Sequence, residues 1–326
     1  METAEANPVL QEKPRRKFRD SCFIIILMTL LILLLGQFLG GTLTGIPAAV
    51  LLMLTNPEAV VQVAAGASYM DYFSPVTQTI LAYLPTIGVW IVGVLFICIP
   101  KKNRPIWKSV ARGTRGNNPK MLLLGLLAGF GLNGVCILIA WLNGDIRLNF
   151  GCFQPLPLLG IFVAVFIQSS SEELICRGYL YQRLMRSYQK PALAIAVNAL
   201  LFAVLHLFNN GITFLSLLNI AVVGLLFSLI IYYLDSLWCA MALHAAWNFT
   251  QNIIFGLPNS GNPSAYSIFV LDAEAARDSF AYNIRFGIEG TLVACAVLIL
   301  ASVGLYVYGK KSGRKPTDIW NTPNQV

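Results

Sequence analysis

Glu172, Glu173 and Arg177 stand in the segment SSSEELICRGYLYQRL, His206 in NALLFAVLHLFNN, and His244 and Asn248 in SLWCAMALHAAWNF. His206 and His244 are the two histidines of the whole chain. All three segments are apolar enough to be membrane spans. There an ionisable side chain costs on the order of 2.5–3.5 kcal/mol at mid-span, so each is a functional candidate. Carboxylates and imidazoles are the groups that carry protons in general acid–base chemistry, and an amide can donate to a developing negative charge. The spacing refines this. Glu173 and Arg177 are four apart, share a helix face and can form an ion pair that offsets the burial of both. Glu172 lies about 100° around the same helix and is the freer carboxylate. His244 and Asn248 are again four apart, so an imidazole and an amide point into one cavity. Each residue alone has an ordinary reading as an interhelical hydrogen-bond partner. Three helices contributing acid or imidazole at compatible depth make a joint chemical role the stronger reading. Glu289 and Asp235 stand at the edges of spans.

The elements that must position these groups follow from composition. The 326 residues are 56% hydrophobic and 12% charged, against roughly 25% charged in ordinary globular chains. Residues 21–57, 72–100, 121–144, 148–171, 191–234, 236–271 and 290–309 contain no Asp, Glu, Lys or Arg, and about 20 apolar residues suffice for a spanning helix. The expected fold is all-α: a polytopic membrane bundle of about eight transmembrane helices near 22–41, 78–99, 121–142, 160–184, 191–208, 212–233, 237–256 and 288–308. The first is read as an uncleaved anchor. This excludes a secreted disulfide scaffold, a disordered charged chain and a water-filled β-barrel. Seven cysteines without a CxxC pair read as packing residues. The pairs Gly36/Gly40, Gly41/Gly45 and Gly125/Gly129 are small-xxx-small patterns, read as close helix packing rather than dimerisation.

The net charge of +8 needs no polyanion, and no nucleic-acid partner is expected. With an even number of spans, one side carries five Lys or Arg in the N-terminal tail, seven between Lys101 and Lys120, four between Arg177 and Lys190 and four between Lys310 and Lys315; the other carries only Arg147, Arg277 and Arg285. The positive-inside rule then puts both termini in the cytoplasm of a multi-pass cell-membrane protein. The chain divides into a basic tail (1–20), the first three helices (21–156), a core of four helices (157–256), an external loop (257–286), a last helix (287–309) and a cytoplasmic tail (310–326). The loop could carry a short helix over the outer face. Glu172 is 17 residues before Gln189 and His206 is 17 after it, whereas His244 is nine past Asp235. For all to meet, the 185–190 turn must project about 10 Å further than the 235 turn, which places the site nearer the cytoplasmic face.

Taken together, Glu172-Glu173-xxx-Arg177-Gly178, Phe202-xxx-His206 and His244-xxx-Asn248, in that order, resemble the CPBP intramembrane proteases, the family of CAAX prenyl endopeptidases and bacteriocin-processing enzymes. The resemblance covers about 160–256. It departs at Cys176, where an aromatic is common. It implies hydrolysis of a peptide bond within the membrane, with Glu172 as general base, His206 holding the water, His244 and Asn248 donating to the oxyanion, and Glu173, Arg177 and Phe202 in support. The implied substrate is a membrane-associated peptide or protein, of prenylated CAAX or bacteriocin type, met in the lipid bilayer; absent organelle signals and short tails fit the membrane of a prokaryotic cell. No cofactor is the preferred reading. Zinc on Glu172, His206 and His244 is the alternative, weakened because the acids lack HExxH spacing and Asn is a poor zinc ligand. The competing functions are a transporter using the same polar cluster as an ion relay, and a non-catalytic immunity or scaffold protein. Oligomeric state is not legible.

Overall fold

The computed structural model describes residues 18–321; most of the basic tail, 1–17, and the last residues, 322–326, lie outside them. The chain is an all-α polytopic bundle. Its main helices are α1 (Cys22–Thr55), α2 (Pro75–Cys98), α3 (Pro119–Leu142), α4 (Pro155–Tyr188), α5 (Pro191–Val204), α6 (Phe214–Leu234), α7 (Leu237–Asn248, continued by a π-helical turn Phe249–Ile254) and α8 (Leu292–Ser312). Six of these, all but α5 and α7, are long and apolar enough to cross a membrane. Helix α7 carries His244, Asn248, Gln251 and Asn252, which make it too polar to qualify on composition, and it is buried along almost its whole length. It fills the centre of the bundle.

The helix starts have local causes. Pro75, Pro119, Pro155 and Pro191 sit in the first turn, where the missing N–H costs nothing. Ser21, Asn118, Ser236 and Thr291 cap helices through their side chains, and Thr213 and Ser216 cap α6 reciprocally. Helix α1 runs to Thr55, well past the expected end near residue 41, because its apolar sequence tolerates Pro47 and continues. Helix α5 stops at Val204, short of the expected 208, and the chain turns through residues 205–213. Segment 257–286 contains no helix. It holds β2 (Phe269–Leu271), paired antiparallel with β1 (Leu148–Phe150).

Glycines set the closest approaches. A Cβ at Gly125 would lie 2.3 Å from the Cys239 carbonyl oxygen, and one at Gly129 would lie 2.3 Å from that of Leu243, so α3 seats directly on α7. Gly36 and Gly40 similarly admit α2 against α1, whereas Gly41 and Gly45 face open space.

Two sets of hydrogen bonds define the two ends of the bundle. At one, Tyr188 Oη accepts from Cys22 N, Arg183 pairs with Asp20, Asn117 Oδ1 accepts from Leu237 N, and Asp235 accepts from Arg115 N and Thr317. This is the basic end. At the other, Asp145 binds Arg277 and Ser279, Asn209 Nδ2 donates to Ser260 O, Thr79 meets Ser264, and Asn219 donates to the carbonyls of Glu289 and Thr291. Arg177, counted above with the basic end, lies inside the bundle and is fully buried.

Candidate active site

Glu172 and Glu173 end the regular part of α4. The next seven residues, Leu174–Leu180, form a π-helical stretch that contains Arg177. The ion pair expected from sequence is present: Arg177 Nη1 donates to Glu173 Oε1 at 3.0 Å, with both side chains fully buried. Arg177 also donates to Gly224 O at 3.1 Å and lies over the rings of Phe202 and Phe227, 4.4 and 5.1 Å from their centroids. That is Phe202's place in the arrangement. Its ring covers the guanidinium and also packs against His206 and His244.

His244 stands between the two acids. Its Nδ1 is 3.0 Å from Glu173 Oε1 and its Nε2 is 4.0 Å from Glu172 Oε2. A carboxylate already paired with Arg177 accepts, so Nδ1 carries the hydrogen and Nε2 faces Glu172. Glu172 Oε1 takes a 2.5 Å bond from Gln168 Nε2, one turn back. Asn248 Nδ2 donates to Gln168 Oε1 and Ser169 Oγ, both at 3.2 Å. His206 lies just beyond α5 in the turn, rather than on a helix, and its Nδ1 is 2.7 Å from Phe202 O. A carbonyl only accepts, so this nitrogen is the protonated one and Nε2 keeps its lone pair.

Glu172, His206, His244 and Asn248 all line one cavity of about 790 Å³, together with Gln168, Phe202 and Phe227. The structure therefore brings the four onto one cavity. It hydrogen-bonds His206 to none of the other three. Because Glu172 and His244 are level, the 188 turn does extend beyond the 235 turn, and residues 103–118 fill the space beneath the latter. From there the cavity runs away from the basic end and is bounded by Met70 and residues 259–265 at the other.

Sequence reasoning passed over three residues here. Gln168 joins Glu172 to Asn248. Asn259 Nδ2 donates to Asn248 Oδ1 at 3.1 Å, which fixes the amide so that its NH2 faces Gln168 and Ser169. Glu289, noted only as a span-edge acid, lines the cavity and accepts from Ser260 N and Oγ at 2.6 and 2.7 Å and from Trp247 Nε1 at 3.1 Å. Their signal in the sequence is weak, because an Asn or Ser in a polar loop is unremarked. For zinc, the test is whether three donors converge. Among the described residues no three of His, Cys, Asp and Glu are disposed to hold one metal ion.

Fold and site together define a class: a multi-pass helical membrane protein with an acid–imidazole–amide cluster on a cavity inside the bundle. Residues 154–250 match the family model of type II CAAX prenyl endopeptidase Rce1-like proteins. The matched stretch holds all eight motif residues, from Glu172 to Asn248, and agrees with the CPBP resemblance drawn from them. The match covers under a third of the chain and makes that stretch similar to CAAX-type intramembrane proteases. No curated protein matches the chain. Helices α1–α3, the 257–286 loop and α8 lie outside the matched stretch.

Proposed function

We propose that the protein is an intramembrane endopeptidase that hydrolyses a peptide bond of a membrane-anchored protein without a metal. The observation that carries this is His244 held by Glu173 while its other nitrogen faces Glu172, with Asn248 one turn further along and His206 on the same cavity. Glu172 takes a proton from water. The lone pair of His206 Nε2 holds that water by its second hydrogen. The hydroxide adds to the scissile carbonyl carbon, and the oxyanion receives hydrogen bonds from Asn248 Nδ2, which turns one hydrogen to it from Gln168 or Ser169, and, when protonated, His244 Nε2, in a cavity of low dielectric. Glu172 then returns its proton to the departing amine as the C–N bond breaks.

Substrate reaches the cavity from lipid between α1 and α5, which do not pack along one another and which contribute Leu33 and Gln37, and Phe202, to its wall. A prenylated CAAX protein and a bacteriocin-type precursor both fit an anchored substrate. Asp20 and Lys315, near the two ends of the described chain, lie at the basic end of the bundle, which the positive-inside rule assigns to the cytoplasm, here of a prokaryotic cell. Transport is the weaker reading, since it needs a route to both faces, and no residue of 100–120, 185–190 or 234–236 at the basic end lines the cavity. The test compares membrane-peptide cleavage by the purified protein with that by Glu172→Gln, His206→Ala and His244→Ala. We expect folded proteins that have lost at least about a hundredfold of activity. Undiminished cleavage by Glu172→Gln refutes the proposal. Loss of activity to a chelator, restored by zinc, refutes the metal-free step.

A further inference from the structure

Glu172 lies midway along α4, so its position alone does not say from which side the site is served. The walls do. The cavity continues from Glu172 and His244 to Met70, in the connection after α1, and to Asn262, Pro263, Ser264 and Ala265 of the 257–286 segment. Asn262, Pro263 and Ala265 are solvent-exposed, and they belong to the end with three Lys or Arg. No residue of 100–120, 185–190 or 234–236 lines the cavity.

The basic end is closed by specific contacts. Asn117 donates to Ser109 O and Ala111 O and accepts from the backbone of Leu237 and Trp238, which stitches segment 103–118 to the start of α7. Asp235 ties in Arg115 and Thr317 beside it. Above that plug the buried Glu173–Arg177 pair and the buried apolar residues Leu174, Ile175 and Leu180 pack between it and the cavity. With Arg177 inside the bundle, fourteen Lys or Arg between Lys101 and Lys315 remain on the plugged side. The positive-inside rule makes that side cytoplasmic.

Resting on the protease reading, we infer that the site is served from the outer face: its substrates are membrane-anchored chains whose scissile segment emerges on the non-cytoplasmic side, as in exported peptides, and not chains cut at a cytoplasmic tail. Water enters from the same side, so hydrolysis draws on the exterior aqueous phase.

Two measurements on the full-length protein in cells test this. The first is labelling with a membrane-impermeant maleimide, scored against the parent chain. Ala265→Cys, on the exposed rim, reacts in intact cells to within about twofold of its yield in permeabilised cells, while Ser312→Cys, at the end of α8, reacts only after permeabilisation. The reverse pattern overturns the inference. The second identifies new termini in membrane proteins from cells expressing the parent chain or Glu172→Gln. Glu172-dependent cuts are expected at outward-facing flanks, enriched at least tenfold over inward-facing ones. Cuts at cytoplasmic flanks overturn the inference. No Glu172-dependent cuts at all, with the labelling pattern as expected, overturns the protease reading and leaves the outward opening in place.

Discussion

Glu173→Gln separates the two duties of one oxygen atom. Glu173 Oε1 receives both Arg177 Nη1 and His244 Nδ1 at 3.0 Å, and Oε2 has no partner. The glutamine keeps shape and an acceptor but removes the charge opposite a fully buried guanidinium. Breaking a buried pair from one side costs about 3–5 kcal/mol. Here Gly224 O and the faces of Phe202 and Phe227 still hold Arg177, so we place the loss near the lower end, about 3 kcal/mol. Adding Arg177→Met removes the orphaned charge, and most of that stability returns, because replacing a whole buried pair by apolar groups is close to neutral. Cleavage does not return. His244 still lacks the carboxylate that fixes its hydrogen, and activity stays down at least about a hundredfold. The assays are denaturant unfolding in detergent, followed beside Glu172-dependent cleavage of a membrane peptide. If the double variant recovers stability and cleavage together, Glu173 is a counterion only, and the reasoning that it positions His244 is wrong.

Other outcomes follow from single contacts. Asn259→Ala frees the Asn248 amide to rotate and should lower kcat about tenfold, the size expected for a misplaced donor, with KM little changed; an unaltered kcat removes Asn259 from the site. Gly129→Ala puts a methyl 2.3 Å from a backbone oxygen and should destabilise by more than about 1 kcal/mol, whereas Gly131→Ala, with nothing near, should stabilise by roughly 0.5–1 kcal/mol; equal effects on unfolding contradict the α3–α7 packing. Asp145 anchors the 257–286 segment. Burial raises its pKa, but hydrogen bonds from Ser279, Asn143 and Arg277, and the Arg277 charge, outweigh this and hold it below the ordinary carboxylate value. A carboxylate depressed in the folded state contributes stability above its unfolded pKa of about 3.9, and that stability is lost as pH falls through the folded value. Proteolysis of the segment should therefore rise below about pH 4, and Asp145→Asn should remove the pH step.

Much of the fold was legible because charge is scarce. Prolines and capping residues bound the helices within a few positions, the end of α1 apart, and the motif acids and histidines stand out against apolar neighbours. The Glu173–Arg177 pair follows from helical spacing, and so does the meeting of α4 with α7. What was not legible depends on distant parts of the chain. Asn259 and Glu289 reach the site through the fold of the 257–286 loop, which no local pattern encodes. The bond from Glu173 to His244 needs the register between two helices. The π-helical stretch at 174–180 widens the turn around Arg177 and leaves no sequence mark. The end of α5 was expected at 208 on apolarity alone, since Leu205, Leu207 and Phe208 are as greasy as the helix they follow.

The shortness of α5 also acts on its surroundings. Fourteen residues of helix cover about 21 Å, against a hydrocarbon thickness of about 30 Å. The 205–213 turn continues with Leu207 and Phe208 presented outward and with the backbone polarity of a non-helical segment. Lipid beside this helix meets a hydrophobic mismatch and is drawn thinner there than around α1 or α3. Headgroups and water thus come closest to the bundle's midplane at the flank where His206 sits, and an anchored chain approaching that flank leaves hydrocarbon sooner than it would anywhere else on the perimeter.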